Sequence, residues 1–417
     1  MGLLKGVVRL KHKRDIPRLK FLKQGLPWVY SNELQKPAQG LVPGDWVSLE
    51  TFEGEALGYG YYNPHSLIAF RIFERAAFRT DDQVRALFFK RLDGALVLRQ
   101  KAYPEIFKSG KPCLRLAYGE SDGVPGLIID LFHSAKGGVA VIQCHAAGAD
   151  QFITWAQAWL MERLGITAGV VRNDLDVRKR EQVEQKTYEW GDVSKDVYAM
   201  EGDLRFYFDV REGQKTGFFY DHRDNRIRLA QMSVGFKESI KAIDYFSYVG
   251  GWGLQIAKQN SKAYVTCVDV SKTATEFVLR NAEENGLKDR VEILVADVFK
   301  DESVLKDKKY QVVVSDPPAL SSSAKHAEES KRAREKCFAL GVRTMTSEGL
   351  IALASCSYHL TWDDFYETCR RAGQRENRFL QTVYSGGQGS DHPVLSSMPE
   401  SRYIKCGIYS ALDGNLG

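Results

Sequence analysis

From about residue 200 onward, short apolar runs alternate with amphipathic stretches of helical period. Ala242–Ser247, Ala263–Val268, Val291–Val295, Tyr310–Ser315 and Gly349–Ala354 each have the length and apolar content of a buried strand. Ser271 stands where a helix N-cap belongs, and Asn285-Gly286 where a helix stops. This alternation predicts a parallel sheet covered by helices, an α/β fold. Two further strand-like runs, Phe379–Tyr384 and Tyr403–Tyr409, close the chain around a loop rich in Gly, Ser and Pro. A terminal hairpin sets this pattern apart from the dinucleotide-binding fold.

The first half has a different rhythm. Val7–Leu10, Asp45–Leu49, Ala56–Tyr62 and Leu67–Phe73 are rich in β-formers, and Pro43-Gly44 and Asn63-Pro64 punctuate them. Residues 1–24 also alternate like strands. Together these predict a small β-barrel-like module over residues 1–74. Asp81 to about Leu98 has helical periodicity, with Val84, Leu87, Phe88, Leu92 and Leu96 on one side. Strands at Leu127–Phe132, Val139–Gln143 and Gly169–Arg172, with a helix from Asp150 to Leu164 closed by Gly165, predict a small α+β domain over residues 75–197. The charge-rich stretch Arg172–Lys186 reads as surface. The α/β domain then occupies residues 198–417.

At 417 residues, with 44% hydrophobic and 27% charged side chains, the chain has ample core for such domains. No apolar run reaches the length of a membrane helix, and no secretory signal is expected. The seven cysteines are scattered, with no Cys-x-x-Cys pair, so neither a zinc site nor a disulfide framework is indicated. Reduced thiols imply a cytoplasmic protein. Net charge is only +5, but residues 1–24 hold eight basic side chains against one acid, Asp15. Such clustering is either the footprint of a polyanionic partner or a solvated basic surface.

Candidate chemistry gathers at the ends of the apolar runs. The first run, with Asp244, Phe246 and Ser247, leads into Gly250-Gly251-Trp-Gly253, a turn that lets a ligand approach backbone. The spacing is not that of a pyrophosphate-binding turn. Asp269, 19 residues after Gly250, ends the second run, where a carboxylate can hold ribose hydroxyls. Asp297 follows the third, where it can meet an adenine amino group. A glycine turn with these two acids fits an adenosine ligand without phosphates, S-adenosyl-L-methionine. Upstream, Arg211–Arg226, including Lys215 and Arg223, is suited to clasp the methionine end or to close over the cofactor, and its composition also fits a linker helix with i,i+4 charge pairs. Asp316-Pro317-Pro318 ends the fourth run, and Ser355-Cys356-Ser357 ends the fifth, forty residues later. If these are neighbouring strands, a carboxylate and a thiol share one cleft. A thiolate there can add to a ring carbon while the acid holds the ring.

These motifs, in this order, resemble the RlmI-type family of ribosomal RNA large-subunit cytosine-C5 methyltransferases over nearly the whole chain. Pro27-Trp-Val-Tyr-Ser31 is similar to the turn of a PUA RNA-binding domain, and Gly119–Leu127 and Asp176–Arg180 to the family's central domain. Gly213-Gln-Lys-Thr-Gly217 with Asp221, Arg223 and Arg226 is similar to its first methyltransferase motif. Phe246–Gly253, Asp316-Pro-Pro, Ser355-Cys-Ser, His392-Pro-Val-Leu and Pro399–Tyr403 follow in family order. The resemblance implies a class I methyltransferase Rossmann-like sheet with a C-terminal hairpin, preceded by the PUA-like and α+β domains. It implies S-adenosylmethionine at Lys215, Arg223, Asp244, Phe246, Ser247, Gly250, Gly251, Asp269, Asp297, Asp316 and Pro317. Catalysis by Cys356 and Asp316, a large-subunit ribosomal RNA substrate and a homodimer are implied likewise. The chain departs from the family after Asp-Pro-Pro, where Ala319-Leu320 replace a Lys and an aromatic, and in Ser321–His326. Two alternatives stay open. One is methylation of an RNA base nitrogen without a covalent step; the other is an RNA-binding assembly factor with weak turnover.

Overall fold

The computed structural model describes residues 3–12, 14, 16–36, 40–300, 308–319, 327–358 and 360–413. The departures at Leu320 and Ser321–His326 lie outside the described residues. Contacts divide the chain into two units: residues 1–197 with 209–218 and 390–401, and residues 198–208 with 219–389 and 402–417.

The first unit contains a five-stranded sheet. Gly6–Arg9 pairs parallel with Asp45–Glu50, which continues antiparallel through Ala56–Tyr62 and Phe70–Glu74 to Trp28–Val29. The chain after Trp28–Val29 returns to the first strand. Lys11 N donates to Glu33 O and Gln35 N to Arg9 O, at 2.9 and 2.8 Å, which curls the sheet toward closure. Val8, Val29, Val47, Leu49 and Phe70 fill its core. Two expectations are corrected. Among the described residues of the basic segment, Gly6–Arg9 is the strand, and Leu19–Lys23 is a helix that buries Leu22. The strand expected from Leu67 begins at Phe70, leaving Leu67 exposed in the preceding turn.

The same unit holds Asp81–Ala102, a helix begun by a Thr80–Gln83 capping box. Its stripe of Val84, Phe88, Leu92 and Ala95 is buried beside strands Leu114–Tyr118, Leu127–Ser134 and Gly137–Cys144. Arg172–Lys186 is not all surface. Arg172, Arg178 and Glu181 are buried. Arg178 pairs with Asp150 through two bonds of 2.8 and 2.9 Å, Arg172 pairs with Asp174, and Glu181 accepts from Asn63 and Ser66. Paired charge survives burial where isolated charge does not. Residues 390–401 belong here as well: Asp391 accepts from Arg99 and from the Arg115 amide.

The second unit is built on a seven-stranded sheet: β1 (Ile240–Tyr245), β2 (Ala263–Asp269), β3 (Val291–Val295), β4 (Tyr310–Ser315), β5 (Met345–Ser355), β6 (Arg378–Gly386) and β7 (Lys405–Asp413). Their order is β3-β2-β1-β4-β5-β7-β6. The first five are mutually parallel, and β7 inserts antiparallel between β5 and β6. The helices are α1 (Arg223–Ser233), α2 (Gly251–Gln259), α3 (Lys272–Glu284), α4 (Ala327–Thr344) and α5 (Trp362–Arg375). The central strands are apolar on both faces because helices cover both. Ile243, Val313, Ile351, Leu353, Phe338 and Phe365 form the core. Strand order reverses between β1 and β4, so the crevice at their carboxyl ends is the expected ligand site. No described helix is long and apolar enough to cross a membrane.

Candidate active site

The turn after β1 is held in an unusual conformation. Phe246 and Tyr248 have φ of 64° and 51°, and Gly250, which opens α2, has 89°. Non-glycine residues pay for positive φ, and such strain concentrates where a turn must present its backbone. Three hydrogen bonds hold it: Ser247 N to Val268 O at 3.0 Å, Gly250 N to Ser247 O at 2.8 Å, and Tyr248 N to Asp269 Oδ2 at 2.9 Å. Asp269, at the end of β2, also accepts from Ser271 N at 2.9 Å. It therefore fixes the turn and the start of α3 together. Gly253 allows α2 to lie on the sheet, since a Cβ there would come within 2.6 Å of Cys267 Sγ.

Asp244 is fully buried under this turn. Its Oδ2 accepts from Gly253 N at 2.9 Å, while Oδ1 has no hydrogen-bond partner among the described residues. Burial pushes its carboxyl up to about 8, against the pull of the Gly253 N–H, and Asp316 and Asp269 push the same way. The buried Ser247 Oγ is likewise without a partner. Two orphaned polar atoms beneath a strained turn are unfinished bonding, the kind a ligand completes. Asp297 lies just past β3. Its carboxylate is held below the usual range by Lys300, 3.2 Å away.

Asp316 and Cys356 stand at the carboxyl ends of β4 and β5, which are neighbouring parallel strands with Ser315 opposite Leu353. Asp316 Oδ2 accepts from Trp252 Nε1 at 3.1 Å, and His222 Nε2 is 3.7 Å away. Pro317, the next residue, is buried. Cys356 is half-buried, whereas the other six cysteines are buried. Ser357 N donates to Ser355 Oγ at 3.3 Å, turning the chain out of β5. Lys405, the first residue of β7, lies opposite Ser355 and donates from Nζ to the Ser357 carbonyl at 3.0 Å.

The second unit thus holds Asp244, Phe246, Ser247, Gly250, Gly251, Asp269, Asp297, Asp316, Pro317 and Cys356 at the carboxyl edge of one sheet or just beyond it. Arg223 opens α1, buried over the Tyr220 ring, with Nε 3.6 Å from Glu201. Lys215 belongs to the first unit, where its carbonyl accepts from Gln143. Sequence reasoning did not single out His222, Trp252, Glu201, Arg334 or Lys405. Only Lys405 carried a signal, as a lone charge inside the apolar run Tyr403–Tyr409.

Residues 8–75 match the PUA-like domain, and residues 225–377 match the methyltransferase small domain. Ribosomal RNA large subunit methyltransferase I of Alteromonas mediterranea is 31% identical over 95% of this chain and 97% of its own length. The proteins of that name from Pseudoalteromonas atlantica and Vibrio cholerae are each 31% identical over 93% of this chain and 96% of their own length. The chain belongs to the ribosomal RNA large subunit methyltransferase I family. Its fold is shared with a protein from Streptococcus mutans assigned as an S-adenosylmethionine-dependent methyltransferase, at a TM-score of 0.76 and 18% identity over 97% of this chain and 99% of that one. A methyltransferase structure complexed with S-adenosylhomocysteine superposes with a TM-score of 0.77, at 18% identity, over 97% of this chain and all of the other. The family's sheet and the PUA-like domain are those the sequence predicts. The donor set at the edge of the sheet also fits S-adenosylmethionine. Asp269 and Asp297 suit hydroxyl and amino groups, and the orphaned Asp244 Oδ1 suits a ligand that carries positive charge.

Proposed function

We propose that this protein is an S-adenosylmethionine-dependent methyltransferase that forms 5-methylcytosine in large-subunit ribosomal RNA through a covalent adduct at Cys356. The observation that carries the reading is the delivery of Asp316 and Cys356 to adjacent strand ends, beside the Asp244–Asp269 turn, in a chain of this family. Methylation of a base nitrogen needs no thiol, and six of the seven cysteines are buried.

Asp269 would hold the cofactor's ribose, Asp297 its adenine, and Ser247 with Asp244 the methionine portion. When bound, the cofactor supplies an electrophilic methyl group. C5 of cytosine is a poor nucleophile. The Cys356 thiolate adds to C6, forming an S–C6 bond and shifting the C5=C6 pair to C5–C4 and the C4=N3 pair onto N3, so that C5 becomes enamine-like. Asp316 hydrogen-bonds N3 and the exocyclic amine and steadies the charge that develops there. Its own position is set by Trp252. After methylation water or a general base takes the C5 proton, the double bond re-forms, and the S–C6 bond breaks to return the thiolate. The base must be unpaired or flipped out to reach this edge.

The N-terminal residues 1–74 would dock the RNA, with residues 75–197 as a separate module before the methyltransferase domain at 198–417. Lys5, Arg9, Lys11, Arg14, Lys20 and Lys23 are exposed. Arg9 and Lys23 are paired with Glu50 and Glu55 at 2.9 Å, so the docking charge rests chiefly on Lys5, Lys11 and Lys20.

The test is mass spectrometry of nucleosides from large-subunit ribosomal RNA incubated with methyl-labelled S-adenosylmethionine. Wild type should yield labelled 5-methylcytidine and Cys356→Ala none. Label in another nucleoside that survives the substitution would move the protein to nitrogen methylation.

A further inference from the structure

Arg334, on α4, and Lys405, on β7, are 2% and 3% exposed. Neither has a carboxylate partner among the described residues. Arg334 Nε has no hydrogen-bond acceptor there, and Lys405 Nζ donates only to the carbonyls of Ser357 and Tyr403, at 3.0 and 3.2 Å. Two buried cations without an anion are costly, and proteins retain such charges where something neutralises them. The register sets Lys405 beside one residue, and α4, which carries Arg334, packs against β4 and β5. Lys405 pairs with Ser355, and its ammonium donates to the carbonyl of Ser357, the residue that follows Cys356. The charge of a Cys356 thiolate favours the cationic form of both Lys405 and Arg334.

We propose that Arg334 and Lys405 form a buried cationic cradle that holds Cys356 as the thiolate before substrate arrives. The proposal rests on the covalent reading of Cys356 and adds the groups that activate it. Both are positioning residues, acting through the sulfur rather than on the base.

The other groups around this point leave Cys356 as the anion the cradle takes. From α4 comes Cys337, from α5 Cys369, and from β7 Cys406, all buried. Burial pushes Cys369 up to about 12 and Cys406 well above the ordinary thiol range, so neither ionises near neutrality. Arg402 lies over the Trp362 ring and adds positive charge beside Lys405. Asp316, at the end of β4, opposes the cradle, and the buried Glu335 beside Arg334 on α4 is already paired with Arg375 at 2.5 Å. Burial, with Arg402 and Arg334, pushes Lys405 down to about 8, and Cys356 pulls it back up.

The test follows iodoacetamide alkylation of the folded protein from pH 5.5 to 9.5, with the Cys356 peptide quantified by mass spectrometry. Only the thiolate reacts, so the profile reads its titration directly. The cradle predicts a wild-type midpoint well below the ~8.5 of a free cysteine. Lys405→Met and Arg334→Met should each raise the midpoint by about one pH unit, slowing the reaction at pH 7 by about three- to eightfold for a wild-type midpoint between about 6.5 and 7.5. Lys405→Arg, which keeps the charge, should restore most of the rate. A wild-type midpoint at or above that of free cysteine, or a midpoint indifferent to both Met substitutions, overturns the proposal. If one Met variant fails to fold, the wild-type midpoint and the other variant still decide. The assay needs no RNA, so its failure is distinct from failure of the covalent reading. An unshifted profile with Cys356→Ala inactive in methylation removes the cradle alone. A shifted profile with Cys356→Ala still active keeps the cradle and removes the covalent step.

Discussion

Asp244→Asn isolates the strain stored beneath the β1 turn. The carboxyl titrates near 8 in the folded protein, against 3.8 for an ordinary aspartate, because it is buried and faces Asp316 and Asp269. An acid whose folded value is raised keeps its proton in the folded state while the unfolded chain has released it. Below about pH 4 both states are protonated and the group makes no difference to stability. From there upward stability falls by about 1.4 kcal/mol per pH unit, until the folded carboxyl itself ionises near pH 8. The cost at pH 8 is about 5 kcal/mol, and the part accrued between pH 5 and pH 8 is about 4 kcal/mol. Asn keeps an acceptor for the Gly253 N–H and does not titrate. Urea unfolding of both proteins at pH 5 and pH 8 measures the difference. The Asn variant should gain about 4 kcal/mol on wild type across that interval. Parallel pH dependence in the two proteins would refute the argument, because it would mean that Asp244 ionises in the folded state much as it does in the unfolded chain.

Two further substitutions probe the same unit. Arg226→Met removes the main partner of the fully buried Glu201, which Arg226 holds through bonds of 3.0 and 2.5 Å. Arg223 and Gln255 stay beside that carboxylate, so the loss should fall at the low end for a broken buried pair, about 3 kcal/mol by urea unfolding. Asp269→Ala deletes both the tie to Tyr248 and the proposed ribose acceptor. Calorimetry should show S-adenosylmethionine binding weakened by about 1.5–3 kcal/mol, on the order of ten- to a hundredfold in Kd.

What was legible in the sequence was what local pattern controls. Apolar runs ending in Asp316 and Cys356 marked strand ends, and a parallel sheet places such ends along one edge. Ser271 announced its helix through cap chemistry alone, and its side chain accepts from Ala274 N as a cap should. What was not legible depended on partners distant in the chain. Arg178 and Glu181 read as surface because Asp150, Asn63 and Ser66, which make their burial tolerable, stand far from them in sequence. Arg334 sits in a helix dense with charge, and nothing local separates a buried arginine from its solvated neighbours. The return of residues 390–401 to the first unit rests on Arg99 and Arg115, nearly three hundred residues upstream. The helix Leu19–Lys23 hid inside a run whose apolar spacing suits either a strand or a short helix.

The central claim is that Cys356 bonds to the target base. Large-subunit ribosomal RNA transcribed with 5-fluorocytidine tests it most directly, because fluorine occupies the position from which the proton must leave and the adduct cannot resolve. With S-adenosylmethionine present, wild type should form a complex that survives denaturation, with the RNA attached at the Cys356 peptide, and Cys356→Ala should form none. An adduct that persists in Cys356→Ala would contradict the account, as would its absence from a wild-type preparation that methylates ordinary RNA to 5-methylcytidine.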